Sequence, residues 1–138
     1  MIIGYGNTLR GEDGFGCDVI KQLENYDLKD TKLISTFQLT PELCLDLLEV
    51  SEIIFIDACY LENEKYHYHF GCSIEEESTN LSHHISPKMI IKLLESIYSK
   101  RIQYSIFGMF TNNFEQILHT DKYNESIKHI CDFISRQN

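Results

Sequence analysis

Three positions in this chain carry side chains that could meet in one reactive site: Asp13, Asp57 and the adjacent pair His83-His84. Asp13 follows Glu12 in a loop that opens on Gly4 and Gly6, and Asp57 follows the apolar run Ile53-Ile54-Phe55-Ile56. The histidines stand just ahead of Ser86-Pro87. Two carboxylates and an imidazole form a mixed oxygen and nitrogen donor set that suits zinc, nickel or iron and leaves positions open for a ligand from the substrate. Close carboxylates without a metal raise one another's pKa, and a cation relieves the repulsion. The loop has no Gly-Lys-Ser/Thr and no third glycine at dinucleotide spacing, so metal or acid–base chemistry fits it better than phosphate. Singly, each residue also has an ordinary explanation: Asp13 as an acid at a helix amino terminus, Asp57 as a cap, the histidines as a solvated pair.

Other reactive side chains read as structural. His67 and His69 alternate with Tyr66, Tyr68 and Phe70, the pattern of a half-exposed strand with both imidazoles on one face; such an H-x-H could also bind metal, but the alternation explains the pair as ordinary polar residues without function. Cys59 follows an aspartate and Cys44 falls on an apolar helix face, neither of them the electropositive setting a thiolate nucleophile needs.

The elements that must position the acids follow from periodicity. Ile2-Ile3 opens a first strand, and Phe15, Val19, Ile20 and Leu23 recur at helical spacing, predicting a helix over 14–25 with Asp13 as its cap or just before it. Residues 32–37 predict a second strand. Thr40-Pro41-Glu42 provides a cap, a first-turn proline and a first-turn acid for a helix reaching about Val50. The run 53–56, apolar on both faces, reads as a central parallel strand ending at Asp57. Residues 66–72 predict a fourth strand and 75–80 a loop. Ser86 then caps a helix with Met89, Ile90, Leu93, Leu94 and Ile97 on one face. A fifth strand is expected over 102–109 and a last helix over 124–136, with Ile127, Ile130, Cys131 and Ile134 on its buried stripe. The expected fold is a single α/β domain over 1–138, three αβα layers around a twisted, mostly parallel five-stranded sheet. Right-handed crossovers bring the Asp13 loop and Asp57 to one edge of that sheet.

At 138 residues with 43% hydrophobic content, the chain can build a core without staples. The formal net charge of −9 argues against nucleic acid or anionic membrane as a partner, since both need a basic face. The five cysteines are odd in number and contain no C-x-x-C pair, which points to reduced thiols rather than a disulfide framework or zinc ribbon. Without a bilayer-length apolar run or a basic leader, a cytoplasmic location is expected.

GYGNTLRGEDGFGCDVI, followed in order by FQLTPEL, IIFIDA and SHHISP, resembles the nickel-iron hydrogenase maturation endopeptidases, over nearly the whole chain up to the fourth helix. The resemblance implies an endopeptidase, aspartic-type or metal-assisted, that removes the carboxyl-terminal extension of the hydrogenase large-subunit precursor. Nickel carried by that substrate would be the recognition element, with no tightly bound cofactor of the enzyme's own. By the same resemblance Asp13, Asp57 and His83 are the metal ligands, and Asp13 and Asp57 the catalytic acids. His84 is the alternative ligand, because the adjacent pair leaves the match ambiguous by one residue. Gly6 and Asn7 match the loop-shaping or substrate-binding positions, and Gln38 a substrate-contacting one. Residues 110–124 lack the glycine and serine-led helix start usual there, which would suit a divergent substrate. Two other readings use the same ligands: a non-catalytic checkpoint protein for hydrogenase assembly, and an unrelated metal-dependent hydrolase, which would bind metal tightly by itself.

Overall fold

The computed structural model describes residues 1–72 and 85–138. Five strands, β1 (Ile2–Tyr5), β2 (Leu33–Thr36), β3 (Glu52–Tyr60), β4 (Phe70–Cys72) and β5 (Gln103–Thr111), form one sheet in the order β2-β1-β3-β5-β4. All pairings are parallel except that of β4 with β5. The helices are α1 (Phe15–Leu23), α2 (Leu43–Leu47), α3 (Pro87–Tyr98) and α4 (Thr120–Gln137). This is the expected αβα arrangement.

Strand alternation sends side chains into two separate cores. Ile2, Ile56 and Ala58 pack with Phe15, Val19 and Ile130 from α1 and α4. Ile3, Ile53 and Phe55 pack with Leu43, Leu47, Ile90 and Leu94 from α2 and α3. Burying each such side chain contributes about 1.5–3 kcal/mol, so the sheet's centre is its most stable part. The chain leaves β1 for β2 through α1 on one face, then returns past β1 to β3 through α2 on the other. The strand order therefore reverses between β1 and β3, and open α/β sheets bind their ligands outside the carboxyl ends of strands at such a switch point.

Several expected boundaries differ. β3 does not stop at Asp57: its pairing with β1 ends at Gly4↔Ile56, but pairing with β5 continues to Tyr60↔Thr111, which carries the strand three residues further. α1 begins at Phe15 and ends at Leu23. α2 is only five residues long, and Thr40 and Pro41 form turns before it through their carbonyls rather than a side-chain cap. α3 follows expectation at its start, where Ser86 Oγ accepts from Met89 N at 3.2 Å. Met89 and Ile97, however, are exposed, and Ile90 and Leu94 carry the buried face. α4 starts at Thr120, four residues before the predicted Asn124, which adds Tyr123 to its buried stripe. The expected strand over 66–72 is reduced to Phe70–Cys72, because Glu64–Tyr66 forms a 3₁₀ turn and Tyr68 adopts φ 68°.

Candidate active site

After β1 the chain turns at Gly6, whose φ of +141° belongs to a region favouring glycine and where an added Cβ would lie 2.0 Å from the Asp13 carbonyl oxygen. The loop thus closes on itself. Arg10 N donates to Asn7 O, Leu9 N donates to Asn7 Oδ1 at 2.9 Å, and Asn7 N donates to Asp13 Oδ2 at 3.2 Å. Asn7 and Gly6 are therefore loop-shaping residues. Residues Gly11–Gly14 form a 3₁₀ turn that presents Asp13 half-buried. Asp13 does not cap α1: the N-cap is Gly14, with no side-chain cap hydrogen bond, and the Asp13 carboxylate reaches back to Asn7 instead.

The 3₁₀ turn lies against β3. At Gly16 an added Cβ would lie 2.3 Å from Ile56 O and 2.7 Å from Tyr5 N, so only glycine lets α1 start directly over β1 and β3. Asp57 is the next residue of β3. It is half-buried, pairs through its backbone with Gly108, and accepts from Ala58 N at 2.7 Å through Oδ1. The fold thereby sets the turn that carries Asp13 against β3, the strand that carries Asp57. Beneath them Cys17 Sγ faces the carbonyls of Gly6 and Thr36. Burial and the charges of Asp18 and Asp57 push its thiol pKa up, which makes it packing and not a nucleophile.

Gln38 is exposed beyond the end of β2, at the same carboxyl edge. His83 and His84 lie outside the described residues, as does the loop expected over 75–80. Among the described residues no group of three His, Cys, Asp or Glu side chains comes together to hold a metal ion.

Glu12, the neighbour of Asp13, is a feature the sequence did not single out. Its side chain is completely buried (0% exposed). Oε1 accepts from Thr111 Oγ1 at 2.6 Å and lies 2.7 Å from His67 Nε2. Oε2 accepts from Tyr68 OH at 2.7 Å and Leu118 N at 3.0 Å. Burial pushes the carboxyl pKa up, but hydrogen bonds from Thr111, Tyr68, His67 and Leu118 outweigh it and hold the value below the ordinary glutamate range. The histidine pair is corrected accordingly: His67 turns inward to Glu12 and stacks on Tyr68, while His69 is exposed beside the Tyr66 ring. They share no strand face. Cys44 is buried in the core as expected, and Cys59 is half-buried on β3.

Residues 110–124 close over the acidic loop. Phe114 O accepts from Asp13 N, Leu118 N reaches Glu12, and Glu115 pairs with Arg10.

Solved structures of hydrogenase maturation proteases share this fold. The fold matches the [NiFe] hydrogenase maturation protease HycI of Thermococcus kodakarensis with a TM-score of 0.68 at 19% identity, over 98% of this chain and 88% of that one. It matches the hydrogenase 2 maturation peptidase of a Thaumarchaeota archaeon with a TM-score of 0.67 at 22% identity, covering 99% and 95% of the two chains. The hydrogenase maturating endopeptidase HybD of Escherichia coli gives 0.66 at 19% identity over 96% and 87%. In sequence, 30 residues are 53% identical to a Methanocaldococcus jannaschii protein provisionally named a hydrogenase maturation protease. That segment spans 22% of this chain and 20% of the relative's length. No family model matches the chain.

Proposed function

We propose that this protein is an endopeptidase that removes the carboxyl-terminal extension of a nickel-loaded hydrogenase large-subunit precursor. What supports this reading is a fold shared with hydrogenase maturation proteases, in which the turn carrying Asp13 packs against β3, the strand carrying Asp57. The nickel arrives with the substrate. Asp13, Asp57 and one of His83 or His84 complete its coordination, so that the metal reports that the precursor is ready for cleavage. Hydrolysis then follows by one of two routes: the metal polarises the scissile carbonyl, or a carboxylate acts as general base toward water.

A protein substrate also suits the surroundings of the acids. Leu9, Phe37 and Tyr60, from the chain just after β1, just after β2 and at the end of β3, are 92%, 60% and 54% exposed. Large apolar side chains around a polar centre suit a macromolecular partner better than a small solute. Among the described residues no helix is long and apolar enough to cross a membrane; a cytoplasmic place of action is part of the proposal.

Incubation with nickel-loaded precursor, followed by intact mass measurement, tests the reading. The expected result is loss of the carboxyl-terminal extension, abolished when the precursor lacks nickel. An unchanged mass with a precursor verified to be folded and nickel-loaded would leave a checkpoint protein as the better description.

A further inference from the structure

We infer that Glu12 is the positioning residue for Asp13, and that Tyr68 and Thr111 act on the site through it; this rests on the role of Asp13 proposed above. A four-residue 3₁₀ turn at the surface has few hydrogen bonds of its own to fix its orientation. Here the anchor is the Glu12 side chain, which is fully buried, while the carboxylate of its half-buried neighbour Asp13 accepts from Asn7 N. Four donors occupy the carboxylate: Thr111 and His67 on Oε1, Tyr68 and Leu118 N on Oε2. They come from three separate parts of the chain, so the turn is held against the end of β5, the 3₁₀–β4 connection and the approach to α4 at once.

Tyr68 supplies a second, independent observation. A tyrosine at φ 68° is in a region costly for a bulky side chain, and such outliers persist where the surroundings over-determine them. Tyr68 N donates to Phe110 O, its carbonyl accepts from Ser126 Oγ, and its hydroxyl accepts from His119 N while donating to Glu12. Backbone strain is thus maintained at the residue that grips Glu12. Asp13 N donates to Phe114 O on the same segment, which completes the clamp.

A catalytic carboxylate displaced by about 1 Å loses about 100-fold in rate. Glu12→Gln keeps the shape of the side chain but brings an NH₂ group against donors. It is expected to lower kcat about 10- to 100-fold, with KM within about two-fold. Thr111→Val should act in the same direction, and Thr111→Ser, which restores the hydroxyl, should recover most of the rate. Amide hydrogen exchange gives a readout independent of cleavage: the Asn7 and Asp13 amides should exchange about ten-fold faster in Glu12→Gln, with α4 amides unchanged. If Asp13→Asn is inactive while folded Glu12→Gln keeps wild-type kcat and exchange, the inference is overturned and the site assignment stands. If Asp13→Asn itself cleaves normally, the site assignment falls and the positioning role falls with it. Should Glu12→Gln fail to fold, the Thr111 pair decides: equal activity of the valine and serine variants refutes the inference.

Discussion

Replacing Tyr68 by phenylalanine removes one oxygen from the centre of the buried network, and the structure sets the size of the effect. The hydroxyl donates to Glu12 Oε2 at 2.7 Å and accepts from His119 N at 2.8 Å. The bond from His119 N is only partly buried whereas Glu12 is fully buried, so the larger cost falls on Glu12. A hydrogen bond to a buried charged group contributes about 1.5–3 kcal/mol, and the packing of the ring is kept. The expected loss is about 2 kcal/mol, which for a domain of this size lowers Tm by about 6–10 °C and the urea midpoint by about 1 M. Urea denaturation followed by circular dichroism measures it. Pairing the change with Glu12→Gln in a double-mutant cycle should give a coupling of about 1–2 kcal/mol. A loss under about 0.5 kcal/mol, or additive effects of the two changes, would refute the view that Tyr68 and Glu12 stabilise the loop as a unit.

The other expected outcomes concern pH, packing and thiols. Because the folded pKa of Glu12 lies below its ordinary value of 4.5, its contribution is complete above that value and is lost as pH falls through the folded pKa. Acid unfolding curves should therefore flatten in Glu12→Gln. Burial and the bond to Glu12 push the Tyr68 pKa up to about 12, so its contribution holds below about pH 10 and disappears as pH rises toward about 12, measurable by phenolate absorbance alongside stability. Gly16→Ala would place a methyl 2.3 Å from Ile56 O and should destabilise by more than about 3 kcal/mol, or prevent folding, as read by thermal melting. Cys17, Cys44 and Cys131 are buried, and burial pushes all three thiols up, Cys131 to about 12; thiol reagents at pH 8 should modify them only after denaturant is added.

The layer order, the two-sided core and the packing of the Asp13 turn against the strand that carries Asp57 were legible in the sequence because they rest on local patterns: apolar runs, helical spacing and right-handed crossovers. Ser86 was recognisable as a cap for the same reason. Asp57 was misplaced as a strand end, since a carboxylate after four apolar residues looks like a terminus, whereas pairing with β5 carries the strand on to Tyr60. The alternation from Tyr66 to Phe70 mimicked a strand, but a left-handed Tyr68 breaks the period and turns His67 inward. Glu12 was invisible as an anchor because its partners at 67, 68, 111 and 118 are tens of residues away, and no spacing rule connects them. The unusual segment 110–124, read as a place for a divergent substrate, also clasps the acidic loop through Phe114, Glu115 and Leu118.

The proposed function rests on Asp13 and Asp57 acting in the cleavage of a hydrogenase precursor. Its most direct test is the intact mass of nickel-loaded precursor after incubation with the wild-type protein and, separately, with Asp13→Asn plus Asp57→Asn. The wild-type protein should shorten the precursor by its carboxyl-terminal extension, and the double variant should leave it whole. Equal cleavage by both would contradict the assignment of these acids, and no cleavage by either would contradict the endopeptidase itself.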